Sequence, residues 1–264
     1  MSVRSFLAID IGNSSLRAGW FPSLDTGAAA VPQASSIWRG DSRQPDLASL
    51  GSWIAVQATS TAVDWQIASV YRPGTSSLLA WLAADRPDDT AHVVTSTDLP
   101  LRIAVAHPER VGVDRLLAAV AANQLRPPHE PAIVIDAGSA VTIDSIGADG
   151  TFLGGLILPG RTMMLRALAQ ADLLPELDWH DQPTPDLIGA ATESALLGGV
   201  FWGQIGAIEG IVTRLRKQLG GNPAVIASAG ELALLSQLVS HDIQHVPHLV
   251  LGGIALMVAW HDKH

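Results

Sequence analysis

The feature that most constrains this chain is an internal echo. FLAIDIGNSSLRAGWF, opening at residue 6, and AIVIDAGSAVTIDSIG, opening at residue 132, share one grammar. Each has a short apolar run that reads as a buried strand, then Asp-x-Gly, then small hydroxyl or amide residues, then a second strand returning as a hairpin partner. The copies begin the two halves of the chain, and a repeat at that separation points to a duplicated domain, not a solenoid. With 264 residues, 48% of them apolar and 16% charged, the chain can build two domains of ordinary size around sizeable cores. The expected division is residues 1–122 and 123–264, with the last helix packing back on the first domain.

The chemistry of the echoed turn is direct. A tight turn containing Gly lets the backbone approach a ligand closely, and successive N–H groups form a concave anion site. The hydroxyls of Ser14, Ser15 and Ser139 add donors without bulk, and Asp10 and Asp136 at the strand ends can hold a cation that offsets phosphate charge. Asp, Asn, Gly and Ser are also the commonest turn residues, so one copy alone reads as a plain hairpin. Two copies, each after a buried strand and each opening half of the chain, favour phosphate binding. Neither a Walker loop nor a dinucleotide fingerprint is present. The glycine-rich stretch at 154–160 reads as a bend at a strand–helix corner.

Further strands are expected at 65–70, 92–96, 150–158 and 248–251. Helices are expected at 76–85, 114–124, 163–171, 194–219, 231–239 and 254–261. Residues 22–46 read as loop with short strands. Asp114 stands at a predicted helix start, where the helix dipole keeps a carboxylate ionised, so it can accept a proton from an alcohol. Arg115 beside it can pair with a carboxylate or phosphoryl group. In isolation the two read first as a helix-start residue and a surface charge. The apolar, glycine-rich stretch 195–211 suits a dimer interface or a core helix.

Composition excludes several classes. A net charge of −9 argues against a general nucleic-acid binder. The absence of cysteine removes disulfides, thiolate metal sites and thiol catalysis. The first apolar run is too short for a signal peptide and no run of some twenty apolar residues stands out, so a cytoplasmic protein without membrane contact is expected. Of nine histidines, His107 lies nearest the proposed pocket in sequence, and the His261-Asp-Lys-His264 tail reads as a frayed polar end. Most of the eight tryptophans read as core or interface residues.

The paired Asp-x-Gly hairpins resemble the two phosphate motifs of the acetate and sugar kinase/Hsp70/actin superfamily. Five stretches resemble type III pantothenate kinases in particular: DIGNSSLR at 10–17, PERVGVDR at 108–115, DAGSAVTID at 136–144, GGLILPG at 154–160 and TESALLG at 192–198. They run in family order along nearly the whole chain. The resemblance implies an α/β fold of two similar ribonuclease H-like (actin-like ATPase) domains, with mixed central sheets flanked by helices and ATP in the interdomain cleft. It implies phosphorylation of pantothenate by ATP, with Mg²⁺ and a monovalent cation (K⁺ or NH₄⁺), in a homodimer.

By motif match, Asp10, Ile11, Gly12, Asn13, Ser14, Ser15, Leu16 and Arg17 would wrap the ATP phosphates, with Asp10 a possible Mg²⁺ ligand. Gly138 and Ser139 would also contact ATP. Asp136 would hold the monovalent cation and Asp114 would accept the proton. Gly112, Val113, Asp114, Arg115 and Thr192 would contact pantothenate. Four positions depart from the pattern. Ser14 and Ser139 stand where Thr is usual, Arg17 where Lys is common, Val105 where a substrate-contacting Tyr is usual, and Ser228-Ala229-Gly230 where Gly-Gly flanks adenosine. A kinase for another small hydroxyl compound, or a non-catalytic regulatory relative, therefore remains an alternative. Retention of Asp10, Asp114 and Asp136 speaks against the latter.

Overall fold

The computed structural model describes residues 5–23, 30–58, 62–179, 184–228 and 242–264. The chain forms two compact units. One holds the described residues through Leu125 together with His248–His264, and the other runs Arg126–Pro247.

In the first unit, β1 (Phe6–Ile11) and β2 (Ser15–Phe21) form the first hairpin, and β3 (Ser36–Asp41) pairs antiparallel to β2. The strands β4 (Asp64–Ser69) and β5 (Thr90–Val93) add in parallel on the other side, giving the order β3-β2-β1-β4-β5. In the second unit, β6 (Ala132–Ala137), β7 (Ala140–Ile146) and β8 (Phe152–Pro159) form the antiparallel half, and β9 (Ala224–Ser228) and β10 (Gln244–His245) the parallel half. Read from β8, the order is β8-β7-β6-β9-β10. The two sheets thus have one topology, that of two ribonuclease H-like domains, and the echo in the sequence is an echo in fold.

The alternation of the strands sorts the first sheet's faces. Ile9, Ile11, Leu16 and Ala18 enter a core with Leu50 and Ile54 of α1 (Leu47–Gln57) and Leu78 and Leu82 of α2 (Arg72–Asp85). Asp10, Arg17 and Gly19 face the other way, toward α3 (Val113–Leu125) and the last helix. In the second unit, β6 and β7 pack against Val200, Phe201, Ile205 and Ile208 of α5 (Thr192–Leu219), with Leu165 of α4 (Arg161–Leu168). By length and composition α5 is apolar enough to cross a membrane, which the expectation of no such run did not anticipate. Its buried stripe is that unit's core, and its Gln204 accepts from the buried Arg161 Nε at 3.0 Å.

Several elements depart from the sequence reading. Residues 249–251 do not form a strand: they open α6 (Leu249–His261), a helix buried on nearly every side. The helix α1 and the strand β9 were not expected. The expected helix at 231–239 and the Ala229-Gly230 pair lie outside the described residues. Helix α2 begins at Arg72, because Pro73 occupies a first-turn position where its missing N–H costs nothing.

Helices α3 and α6 pack with their N-termini at the same end. Leu117, one turn into α3, meets Gly253, one turn into α6, so closely that a Cβ on Gly253 would lie 2.1 Å from the Leu117 carbonyl oxygen. Only glycine permits that approach. Both helix starts are thereby carried to the end of the sheet where β1 finishes.

Candidate active site

At that end of the first unit, the register of the sheet builds a row. Asp10 pairs with Arg17, and Arg17 with Arg39, so three side chains from three strands share one face. Arg17 Nη1 donates to Asp10 Oδ2 at 3.1 Å. Asp10 is only 6% exposed, and burial pushes its carboxyl from the ordinary 3.8 up to about 6; Arg17 opposes this, while the Asp114 charge adds to it. Asp10 and Asp114 are therefore close enough to feel each other.

Asp114 sits in the first turn of α3, with its Oδ1 accepting from the Arg115 N–H at 2.8 Å. Burial raises its pKa, and the Arg115 N–H and guanidinium hold it down. Gly112 makes the geometry possible, since a Cβ there would lie 2.4 Å from Asp114 Oδ1. The turn of the first hairpin is closed by the Gly12 N–H to the Ser15 carbonyl at 2.9 Å, which leaves Asn13 and Ser14 exposed at its tip. Ile11 and Leu16 are buried in the first unit's apolar core and Val113 is buried too, so any ligand contact they make is through backbone.

In the second unit, Asp136 is half-buried near the end of β6, opposite Thr142 and beside Ser228 in register. The Gly138 N–H closes the hairpin to Ala140 O at 2.9 Å, and the Gly160 N–H donates to Ser139 O at 3.2 Å, tying the second loop to the start of α4. Thr192, exposed, is the first residue of α5.

Two residues of the first row escaped the sequence reading. Arg39 lies in a stretch, 22–46, read as loop with short strands and given no functional residue. His248, read as part of a strand, caps α6 with its Nε2 3.0 Å from Arg39 Nη2. By contrast His107 is exposed and faces Glu109 Oε1 at 3.5 Å. The tail is not frayed: His261 bonds the Asp98 carbonyl at 2.8 Å and His264 stacks on Trp260. Among the described residues no cluster of three or more His, Asp or Glu side chains could by itself hold a metal.

The raised Asp10 pKa has a consequence for stability. A carboxyl whose folded pKa exceeds its unfolded value favours the fold while protonated and loses that contribution as pH rises from about 4 through about 6. Asp10→Asn is therefore expected to raise the thermal midpoint at pH 7.5, with the gain shrinking toward pH 4. Unfolding scans of both proteins at the two pH values check this; an equal shift at both would show that Asp10 is not strained by burial.

Comparisons with known proteins place this geometry in a family. A sequence profile described as type III pantothenate kinase matches residues 6–214. A type III pantothenate kinase of Sphingopyxis alaskensis is 39% identical over 58% of this chain, and the match spans 59% of that protein; those of Zymomonas mobilis and Paramagnetospirillum magneticum match over 58% and 53% of their lengths. The chain thus spans little more than half the length of these relatives. A type III pantothenate kinase of Rhodopirellula baltica is 34% identical over 92% of this chain and 95% of its own. Among solved structures, a Baf family transcriptional activator from Campylobacter jejuni superposes with a TM-score of 0.56 at 18% identity, over 98% of this chain and all of that one. A polyphosphate/ATP-glucomannokinase from Arthrobacter superposes at 0.50 and 14% identity, over 99% of this chain and all of that one, a likeness of fold alone. On the full-length match and the profile together, the chain belongs to the type III pantothenate kinase family.

Proposed function

We propose that the protein transfers the γ-phosphoryl group of ATP to the primary hydroxyl of pantothenate, giving 4′-phosphopantothenate and ADP, the first step of coenzyme A biosynthesis. The observation that carries this is the meeting of Asp10, Arg17 and Asp114 at one end of the first sheet. Phosphoryl transfer asks a protein for positioning, charge neutralisation and an oriented nucleophile. The first hairpin's exposed N–H groups and hydroxyls, with Arg17, would hold the phosphates. Asp114 would take the hydroxyl proton as the oxygen attacks the γ-phosphorus and the bond to the β-phosphate oxygen breaks. Its raised pKa suits a base, because a carboxylate of higher pKa takes up a proton more readily than an exposed one.

The two hairpins divide the charge. Asp10 faces a guanidinium across the strand pair, whereas Asp136 pairs in register with Thr142 and Ser228, whose oxygens with its own would make a row suited to K⁺ or NH₄⁺. With no three-carboxylate cluster among the described residues, Mg²⁺ would be held by the nucleotide's own phosphates with Asp10, the usual pattern for this ion. Bound there, it would neutralise developing phosphate charge. Gly138 and Ser139 would add nucleotide contacts, and Gly112, Val113, Arg115 and Thr192 would contact pantothenate. A cytoplasmic homodimer completes the reading.

The test is ADP release by the purified protein with ATP, Mg²⁺ and K⁺, before and after adding pantothenate or other small alcohols. Turnover should require pantothenate and fall when Na⁺ replaces K⁺. Turnover with another alcohol alone would move the substrate assignment, with Val105 the first residue to examine.

A further inference from the structure

The reading above uses one cation of the first sheet, Arg17, yet the sheet presents two. Arg39 stands directly across from Arg17 on β3, an edge strand, and shares its face. Two guanidiniums on neighbouring strands repel, and adjacent like charges destabilise a sheet. Arg17 is matched by Asp10 at 3.1 Å. Arg39 meets a partner of a different kind: its Nη2 lies 3.0 Å from His248 Nε2.

A neutral imidazole and a carboxylate would do different things there. Either can accept from Arg39 and fix its direction. Only the carboxylate would also cancel its charge. His248 is held below its ordinary pKa first by burial, then by the nearby charges of Arg39 and Arg17, so at neutral pH it is an acceptor without charge. Its backbone lies in the left-handed region, with φ 55°, at the start of α6. A β-carbon-bearing residue in that conformation is sparsely populated, and such strain gathers where a side chain has work to do. Beside the pair, Arg43 Nε reaches the Asn13 carbonyl at the hairpin tip at 3.3 Å while its backbone N–H donates to Asp41 Oδ1 at 2.6 Å, so the β3 end of the row carries two guanidiniums, Arg39 and Arg43, against the one carboxylate of Asp41.

We propose that Arg39, aimed by His248, is a second phosphate-gripping cation of the first sheet and contacts the terminal phosphates of the nucleotide, with His248 a positioning residue that leaves the Arg39 charge whole. The proposal rests on the reading of the chain as an ATP-dependent kinase. It joins residues 209 positions apart, from the first sheet's edge and the last helix, into the nucleotide site. A planar guanidinium gives two parallel donors to phosphate oxygens, which suits an end group carrying most of the charge.

Calorimetric titration of wild type, Arg39→Gln, His248→Ala and His248→Gln with Mg·ATP and with adenosine, without pantothenate, tests it. Arg39→Gln should weaken Mg·ATP by about tenfold or more, the loss expected for a charge-assisted hydrogen bond, and leave adenosine unchanged. His248→Ala should weaken Mg·ATP in the same selective way by a smaller factor. His248→Gln, whose side-chain oxygen reaches about as far as Nε2 while its backbone bears the same strain as Ala, should recover most of it. Unchanged Mg·ATP affinity in Arg39→Gln overturns the proposal, as does equal weakening of adenosine, which would mark a packing effect. An unaffected His248→Ala overturns the positioning role. A wild type that binds Mg·ATP but turns over no pantothenate would sink the substrate reading and leave this one standing; a wild type that binds no nucleotide would sink both.

Discussion

Asp114→Asn should leave the protein folded and lower pantothenate-dependent turnover by ~10²–10⁴-fold, the range for loss of a positioned general base. The substitution is unusually clean here. The Asn side-chain oxygen can still accept from the Arg115 N–H, and the first-turn geometry made possible by Gly112 is unchanged. What disappears is a carboxylate that burial disfavours and whose charge raises the Asp10 pKa. The variant should therefore unfold at the same temperature as wild type or higher. That combination, lost rate with retained or increased stability, separates a catalytic role from a structural one. Mg·ATP affinity should not fall either, because removing a negative charge beside the phosphates eases their approach. Near-wild-type turnover would show that the hydroxyl proton leaves by another route.

The hairpins are legible in the sequence because their signals are local. A buried strand reads as a continuous apolar run, and Asp-x-Gly with small polar residues marks where it turns. Asp10, Arg17 and Asp136 could thus be placed from a dozen neighbouring residues. The elements that were missed lack such local signals. Of helix α6 only the first turn was missed, beyond the expected 254–261: the helix is apolar on all sides, so it shows no 3.6-residue period, and Leu249-Val250-Leu251 look like a strand until their burial is known. The strand β9 is five residues long and follows a Gly-Gly-Asn-Pro turn, too short to stand out beside the long helix before it. The cue for α1 was present, since Asp46 accepts from the Ser49 N–H at 2.9 Å as an N-cap, but its apolar face is weakly marked. Arg39 and His248 could not be paired from sequence at all: their meeting depends on the sheet order and on α6 returning to the first unit.

That return makes Gly253 the position where the smallest change should cost most. A Cβ there would lie 2.1 Å from the Leu117 carbonyl oxygen and 2.7 Å from its carbon. Both are backbone atoms of α3 and cannot rotate away. Gly252 next to it is more forgiving, since its nearest neighbour is a Val31 methyl. Gly253→Ala must push α3 and α6 apart, and overpacking of this kind costs about 1–3 kcal/mol or more. For a chain of this size the thermal midpoint should drop by about 2–12 °C. At Gly203, in α5, a Cβ would meet nothing within 4 Å beyond the helix's own backbone. The same change there, Gly203→Ala, should instead raise stability by about 0.5–1 kcal/mol through helix propensity alone. Unfolding scans of both variants read the two signs directly. Turnover by the surviving folded fraction of Gly253→Ala should also fall, because the contact that fixes the spacing of α3 and α6 fixes Asp114 and His248 at their starts, and small misplacements of reacting groups are costly. Equal stability of Gly253→Ala and wild type would mean that the α3–α6 contact has room the geometry denies it.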